Sequence, residues 1–312
     1  AISNTFMSLA AQGKNIVTSK HLFGNTYALL VATLRRFGVK VRLRDLTNIE
    51  EVREAINDDT CCVFLEILTN PQLEVADLKA ISEVAHEKNV PLVVDSTVIP
   101  FTQFSAKGQG VDIEVVSSSK YVSGGATSLG GLVIDYGTPY NGDFAKRLYG
   151  EMLFNFGAYM TPQVAYMQTI GLETLDARYR VQSGNALELA KKLRTLPQIQ
   201  YVNYVGLEDN PYHELAQRQF GKTAGAMICI DLESKEACFN FLNNLKLIHR
   251  ATNLFDNRSL AIHPASTIFG AFSENMRKSM DVKDTTIRLS VGLEDVDDLF
   301  EDIKQAVEGI QK

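Results

Sequence analysis

The chain reads as an α/β protein built on a mainly parallel sheet, and three observations carry that reading. Through residue 120, apolar runs of strand length alternate with segments of helical period, an order that makes crossover units instead of hairpins. Runs such as Cys61–Leu65 and Pro91–Val94 lack the polar break at every second residue that marks a strand with one wet face, so both of their faces are covered. Beyond residue 196 the order changes to two strands in succession, then helices and strands mixed, as in a smaller α+β unit. At 312 residues the chain is long for one domain. It divides at residue 175 into a large part, 1–175, and a small one, 176–312.

In chain order, Ile2, Phe6, Leu9 and Ala10 give a helical period that stops at Gly13, and Ile16–Thr18 is a short strand. The turn His21–Thr26 carries Phe23 ahead of a helix, Tyr27–Phe37, which Gly38 ends. Val39–Leu43 is a strand, Asn48 caps the next helix, and Cys61–Leu65 is the third strand, followed by Glu66–Pro71. Helix Val75–Lys88 leads to the Asp95 strand, and Val111–Val116 to a Gly-rich hairpin, Gly124–Asp135. From Asp143 to Leu196 the pattern is helical, with one long segment, Asp176–Leu193. Strands Ile199–Val205 and Ala226–Leu232, helix Lys235–Leu245, strands Ser259–His263 and Thr286–Val291 and a final amphipathic helix, Val296–Ile310, complete the chain.

Composition narrows the function. Hydrophobic residues make up 45%, charged ones 22%, and the net charge is −6. With no Lys/Arg block, this argues against nucleic-acid or anionic-membrane binding. No apolar run approaches membrane-spanning length and no signal peptide is visible at Ala1–Asn4. The lack of an initiator Met suggests that the beginning has been omitted. The four cysteines form no C-x-x-C pair and the five histidines no i,i+4 pair. They read as reduced residues of a cytoplasmic protein without a metal site.

Chemistry concentrates where apolar strands end in polar residues. Val111–Val116 runs into Ser117-Ser118-Ser119-Lys120, a lysine delivered into a crowded polar pocket. Desolvation there lowers an amine's pKa and prepares it to form a Schiff base. Ser117 and Ser119 suit a phosphate. Asp95 closes the strand one crossover upstream, and in open α/β sheets ligands gather at the carboxyl ends of strands. An amine and a carboxylate at two such ends fit pyridoxal phosphate. The plainer alternatives are a helix-capping Asp and a solvated Lys. Arg288 sits in an apolar strand, either on its wet face or as a planar fork for a substrate carboxylate. Asn70 is either a ligand-binding amide or a routine Asn-Pro turn. The absence of G-x-G-x-x-G after the first strand weakens a nicotinamide reading.

Taken together, Phe23-Gly24, Glu66…Asn70-Pro71, Asp95-Ser96-Thr97, Ser117–Lys120, Gly130-Gly131, His263–Thr267 and Arg288–Asp295 resemble the cysteine and methionine metabolism family of pyridoxal-phosphate enzymes, over essentially the whole chain. The resemblance implies the fold type I transferase architecture, with a mainly parallel, seven-stranded-type sheet and a small C-terminal α+β domain. It implies that Lys120 binds the cofactor aldehyde and shuttles protons. Asp95 pairs with the ring nitrogen; Thr97, Ser117 and Ser119 bind the cofactor; Phe23 stacks on its ring; Asn70, Asn253 and Arg288 hold the substrate. It further implies a homotetramer of two dimers with shared active sites.

Within the family, Arg258-Ser259-Leu260 with His263–Thr267 resembles the O-acetylhomoserine sulfhydrylases. These make homocysteine for methionine biosynthesis from O-acetyl-L-homoserine and sulfide, or sulfur brought by a carrier protein. Cystathionine γ-synthesis and γ-elimination are the alternatives, and Asn25 stands where methionine γ-lyases carry cysteine. Three departures are expected to matter: Phe23 replaces the family's tyrosine, Phe255 and Ile268-Phe269 are expected to reshape the pocket, and the family's N-terminal arm is missing.

Overall fold

The structure, a computed structural model, describes residues 1–311. Helix α1 (Ile2–Leu9) precedes β1 (Asn15–Ser19). Helix α2 (Gly24–Ala28) runs on through a widened π turn, Leu29–Thr33, and a 3-10 turn, Leu34–Phe37, so the single helix expected over 27–37 is three pieces. Gly38 ends the run with φ +78°, a left-handed residue that glycine adopts without a Cβ clash. There follow β2 (Lys40–Arg44), α3 (Ile49–Ala55), β3 (Thr60–Glu66), α4 (Leu78–Glu87), β4 (Leu92–Asp95), β5 (Ile113–Val116) and β6 (Leu132–Asp135). The side chains of Asn48 and Asp77 accept from backbone N–H groups in the first turns of α3 and α4, as N-caps do.

The sheet order is β2-β1-β3-β4-β5-β6, with parallel neighbours except for β6, which runs antiparallel to β5. Among the described residues it has six strands, not the seven-stranded pattern expected, because the next strand after Asp135, at 201–203, joins a different sheet. Alternate strand residues feed the two faces. Val17, Val63, Leu65 and Val94 pack with Val52, Leu78, Ile81 and Val84 on one side, while Ile16, Cys62, Phe64 and Val93 pack with Phe6, Leu30, Leu34 and Phe144 on the other. Both faces are covered, which is why β3 and β4 carry no polar alternation.

The helical stretch contains α5 (Phe144–Arg147), a π turn over Leu148–Leu153, α6 (Phe154–Phe156), α7 (Pro162–Glu173) and α8 (Leu175–Leu193). After it come β7 (Tyr201–Asn203), α9 (His213–Phe220), β8 (Met227–Asp231), α10 (Lys235–Asn244), β9 (His249–Arg250), β10 (Leu260–Ile262), α11 (Glu274–Ser279), β11 (Thr286–Ser290) and α12 (Val296–Glu308). The second sheet has the order β7-β8-β11-β10-β9 and is antiparallel except between β9 and β10. The sequence pattern missed α9, β9 and α11, which are short or polar. No helix among the described residues is long and apolar enough to cross a membrane.

Candidate active site

The carboxyl ends of β3, β4 and β5 meet the N-terminus of α2 and the loops before and after β10 and β11. Asp95 is the last residue of β4 and pairs with Val115 in register. Its Oδ1 accepts from the Thr97 backbone at 2.9 Å, and the Thr97 hydroxyl accepts from the Ser117 backbone at 2.8 Å. One threonine thus fixes the spacing between the carboxylate and the serine loop. Burial raises the Asp95 pKa, and the charge of Glu114 adds to it. A cation beside this carboxylate would be stabilised.

Lys120 follows β5 by one turn. A 3-10 turn, Tyr121–Ser123, then closes on Gly124 at φ +78°. A Cβ on Gly124 would stand 3.0 Å from the Gly171 Cα, so close packing of α7 against the lysine turn excludes a side chain there. Arg178 of α8 locks the same turn by donating to the carbonyls of Tyr121 at 2.8 Å and Gly171 at 2.7 Å. The lysine Nζ lies 2.5 Å from Asn253 Oδ1. Burial and then the positive charge of Arg288 lower its pKa, which favours the neutral, nucleophilic amine.

Arg288, on β11, is 1% exposed. It is not on a wet face. Nη1 donates to Asn70 Oδ1 at 3.1 Å, and Nη2 donates to the carbonyls of Thr252 at 3.2 Å and Asn253 at 3.0 Å. Its Nε, also buried, has no partner. A buried guanidinium with neutral acceptors and an orphaned donor is prepared for an anion.

Phe23 is half-buried at the start of α2, and its backbone N–H donates to Glu66 Oε1 at 2.6 Å. Ser119 is not free: its hydroxyl donates to the Gly130 carbonyl at 3.2 Å and accepts from the Gly130 N–H at 2.9 Å. The structure therefore brings Phe23, Asn70, Asp95, Thr97, Ser117, Lys120, Asn253 and Arg288 around one region, with Ser119 turned onto the Gly130 backbone. Above Lys120 opens a cleft of about 660 Å3, bounded by Val31 and Ala32 of the π turn, by Asn25, Thr252, Asn253 and Thr267, and by Ile268, Phe272 and Met276.

Two expectations are corrected. Phe255 and Phe269 do not line the cleft; both are 0% exposed. Phe255 adopts φ +57° and turns inward, stacking on Tyr121 at 4.2 Å and 14°, a costly backbone state offset by ring packing. Ile268 does line the cleft. Arg258 stays outside the cleft, paired with Asp256 at 3.1 Å on a side chain 63% exposed. Glu66, part of the Glu66…Asn70-Pro71 motif, is the functional acid that sequence reasoning passed over. It carried the same signal as Asp95, an acid ending an apolar strand. Among the described residues no group of three or more His, Cys, Asp and Glu side chains is placed to hold a metal.

The donor set fits pyridoxal phosphate: a half-buried amine for the aldehyde, a half-buried acid with raised pKa for the ring nitrogen, and a serine loop with backbone N–H groups nearby for the phosphate. Comparison with known proteins agrees. The chain is 38% identical to an L-methionine gamma-lyase of Fusobacterium nucleatum subsp. polymorphum over 314 residues, covering 99% of this chain and 78% of that one. A solved structure concerning sulfur transfer by O-acetylhomoserine sulfhydrylase of Wolinella succinogenes is 41% identical, with TM-score 0.87, over 98% of this chain and 88% of that one. A putative O-acetylhomoserine (thiol)-lyase of Campylobacter jejuni, solved with a pyridoxyl-lysine monophosphate, has TM-score 0.94 and 33% identity, over 98% of this chain and 79% of that one. A family model described as Cys/Met metabolism PLP-dependent enzyme matches residues 1–308, and the chain belongs to that family of pyridoxal-phosphate-dependent enzymes.

Proposed function

We propose that the protein exchanges the γ-substituent of an activated homoserine for sulfur, turning O-acetyl-L-homoserine and sulfide into L-homocysteine and acetate. The observation that carries an amino-acid substrate is Arg288, a buried cation with an unpartnered Nε whose Nη2 bonds the carbonyl of Asn253, the residue that also meets Lys120. A carboxylate taken by Arg288 and Asn70 brings the attached Cα toward the lysine amine. Pyridoxal phosphate, when bound, supplies the electron sink for loss of the Cα proton. Asp95 would pair with the ring nitrogen and favour its positive form. The Lys120 amine, able to carry one added proton at a time, would take the Cα proton, hand it to the bound cofactor and then take one from Cβ; acetate would leave Cγ with its bonding pair, hydrosulfide would bond to Cγ with its own pair, and the two protons would return to Cβ and Cα by the same amine. Phe23 has no hydroxyl, so this proton work falls on Lys120. Asn253 orients the amine.

Sulfide as donor, a cytoplasmic setting, the division at residue 175 and a homotetramer with shared active sites belong to the same reading. For the last, Tyr149, Phe154, Phe156, Tyr159 and Tyr166 leave more than half of their surface exposed along one segment, apolar area of the kind that a second copy covers; light scattering reports the assembly. A second reading, γ-elimination from L-methionine, is favoured by the similarity to the Fusobacterium lyase. Incubation with O-acetyl-L-homoserine and sulfide is expected to release homocysteine. Turnover of methionine or cystathionine alone would overturn the replacement reading.

A further inference from the structure

Glu66 is the last residue of β3 and stands in register beside Asp95 of β4. Register partners on adjacent parallel strands point to the same face, about 5 Å apart at the backbone. The Glu66 carboxyl is 5% exposed, yet it meets no cation. It instead faces the backbone N–H groups of two functional turns. That of Phe23 donates at 2.6 Å, and that of Asn70, four residues on, lies close enough to draw its pKa down. The Phe23 turn continues into Gly24, where a Cβ would stand 2.5 Å from the Ile268 carbonyl, so its placement also sets the cleft wall. The Asn70 turn carries the amide oxygen that receives Arg288. Burial, with the charge of Asp95 second, pushes this carboxyl up to about 8.

We propose that Glu66 is a positioning residue that couples cofactor capture to substrate capture: one carboxyl holds the Phe23 turn over the ring and the Asn70 turn against Arg288, beside the acid that the ring nitrogen would neutralise. The family's cofactor chemistry is assumed, but not the choice of substrate. A cation arriving next to Asp95 offsets the second of the two effects that hold the Glu66 pKa up, the first being burial. Cofactor binding therefore releases part of a proton from Glu66, and the two turns are held by an acceptor whose charge depends on the cofactor.

The test compares wild type with Glu66→Gln and Glu66→Ala, by titrating each apoenzyme with pyridoxal phosphate and following visible absorbance and proton release in weak buffer. Glu66→Ala removes the acceptor for both turns. It is expected to weaken the cofactor and the apparent affinity for the amino acid together, each by roughly tenfold or more. Glu66→Gln keeps an acceptor oxygen and is expected to hold both within about threefold, while the part of proton release that titrates near pH ~8 disappears. Parallel losses in Ala with rescue in Gln support the proposal. Unchanged cofactor affinity in Ala, with only a lowered melting temperature, overturns it, as does undiminished proton release in Gln. If Ala fails to fold, the Gln proton release decides alone. Because cofactor titration needs no turnover, its outcome is separate from any failure of the sulfhydrylase reading.

Discussion

The floor and the roof of the cleft are built from different material. The floor is the row of strand ends, Glu66, Asp95 and the Ser117–Lys120 loop, in which the acids are fixed by backbone N–H donors, the amine by the Asn253 side chain, and the whole is covered by a sheet packed on both faces. The roof is loop, π turn and short helix, with Val31, Ile268, Phe272 and Met276 presenting apolar carbon. Buried charge fixed on rigid strands commits the floor to one kind of chemistry, since each unpaired group there would cost several kcal/mol. Apolar side chains on loops carry no such obligation. The floor thus suits pyridoxal-phosphate chemistry, and the roof is where substrate choice can change without disturbing it.

The floor is where the largest effect is expected. Lys120→Ala should remove the visible absorption of bound pyridoxal phosphate and lower turnover by roughly 10³-fold or more. A variant that keeps the band would place the amine elsewhere and dissolve the contrast between floor and roof. Next in size is Arg288→Lys, which keeps the charge but loses the planar fork and leaves Asn70 Oδ1 or the carbonyls of Thr252 and Asn253 short of donors. Steady-state kinetics should show KM for the amino acid up by about 10- to 100-fold, with a smaller change in kcat. An effect on cofactor affinity alone would move Arg288 to the cofactor's side of the site.

The same division decides what could be read from the chain. Asp95 and Lys120 were visible because an apolar strand that ends in a charge is a local pattern. The strands other than β6 and β9 were visible as apolar runs, within a residue or two of their ends; β6 was expected only as part of a hairpin, and β9, two exposed residues long, was missed. Asn253 acts through a 2.5 Å contact with Lys120 from far along the chain, and no local pattern announces it; it came from resemblance. Phe255 was misplaced because only a left-handed backbone at φ +57° turns the ring away from the cleft toward Tyr121, and side-chain chemistry does not encode that. Arg258, used only as a mark of resemblance to the sulfhydrylases, pairs locally with Asp256 two residues away and does not line the cleft.

Floor and roof are joined at His21, two residues before Phe23. The buried ring lies between Glu74, 3.0 Å from Nδ1, and Asp281, 2.7 Å from Nε2, and Asp281 also meets Lys20 at 2.8 Å. Asp281 comes just after α11, which carries Met276 of the roof. Burial alone would lower the His21 pKa, but the Glu74 hydrogen bond and charge, then Asp281, outweigh burial and the Lys20 charge and leave it raised above 6.5. Because the folded state binds this proton more tightly, the contribution to stability is complete below 6.5 and is lost as pH rises through the raised value. Melting curves should therefore fall over that window more steeply in wild type than in His21→Asn. Equal slopes would show that the joint does not titrate.

The smallest effect belongs to the roof. Ile268→Val removes one methylene from the cleft wall, worth about 0.8 kcal/mol or roughly fourfold if it touches the substrate. The side chain does not reach Asp95 or the serine loop through any hydrogen bond, so pyridoxal-phosphate affinity should stay at the wild-type value. What should move is the ratio of kcat/KM between O-acetyl-L-homoserine and its bulkier O-succinyl counterpart, toward the larger acyl group. If the ratio stays fixed while cofactor affinity shifts, the wall at Ile268 serves the floor through the Gly24 contact with its carbonyl, and the two regions are one mechanical unit, not two.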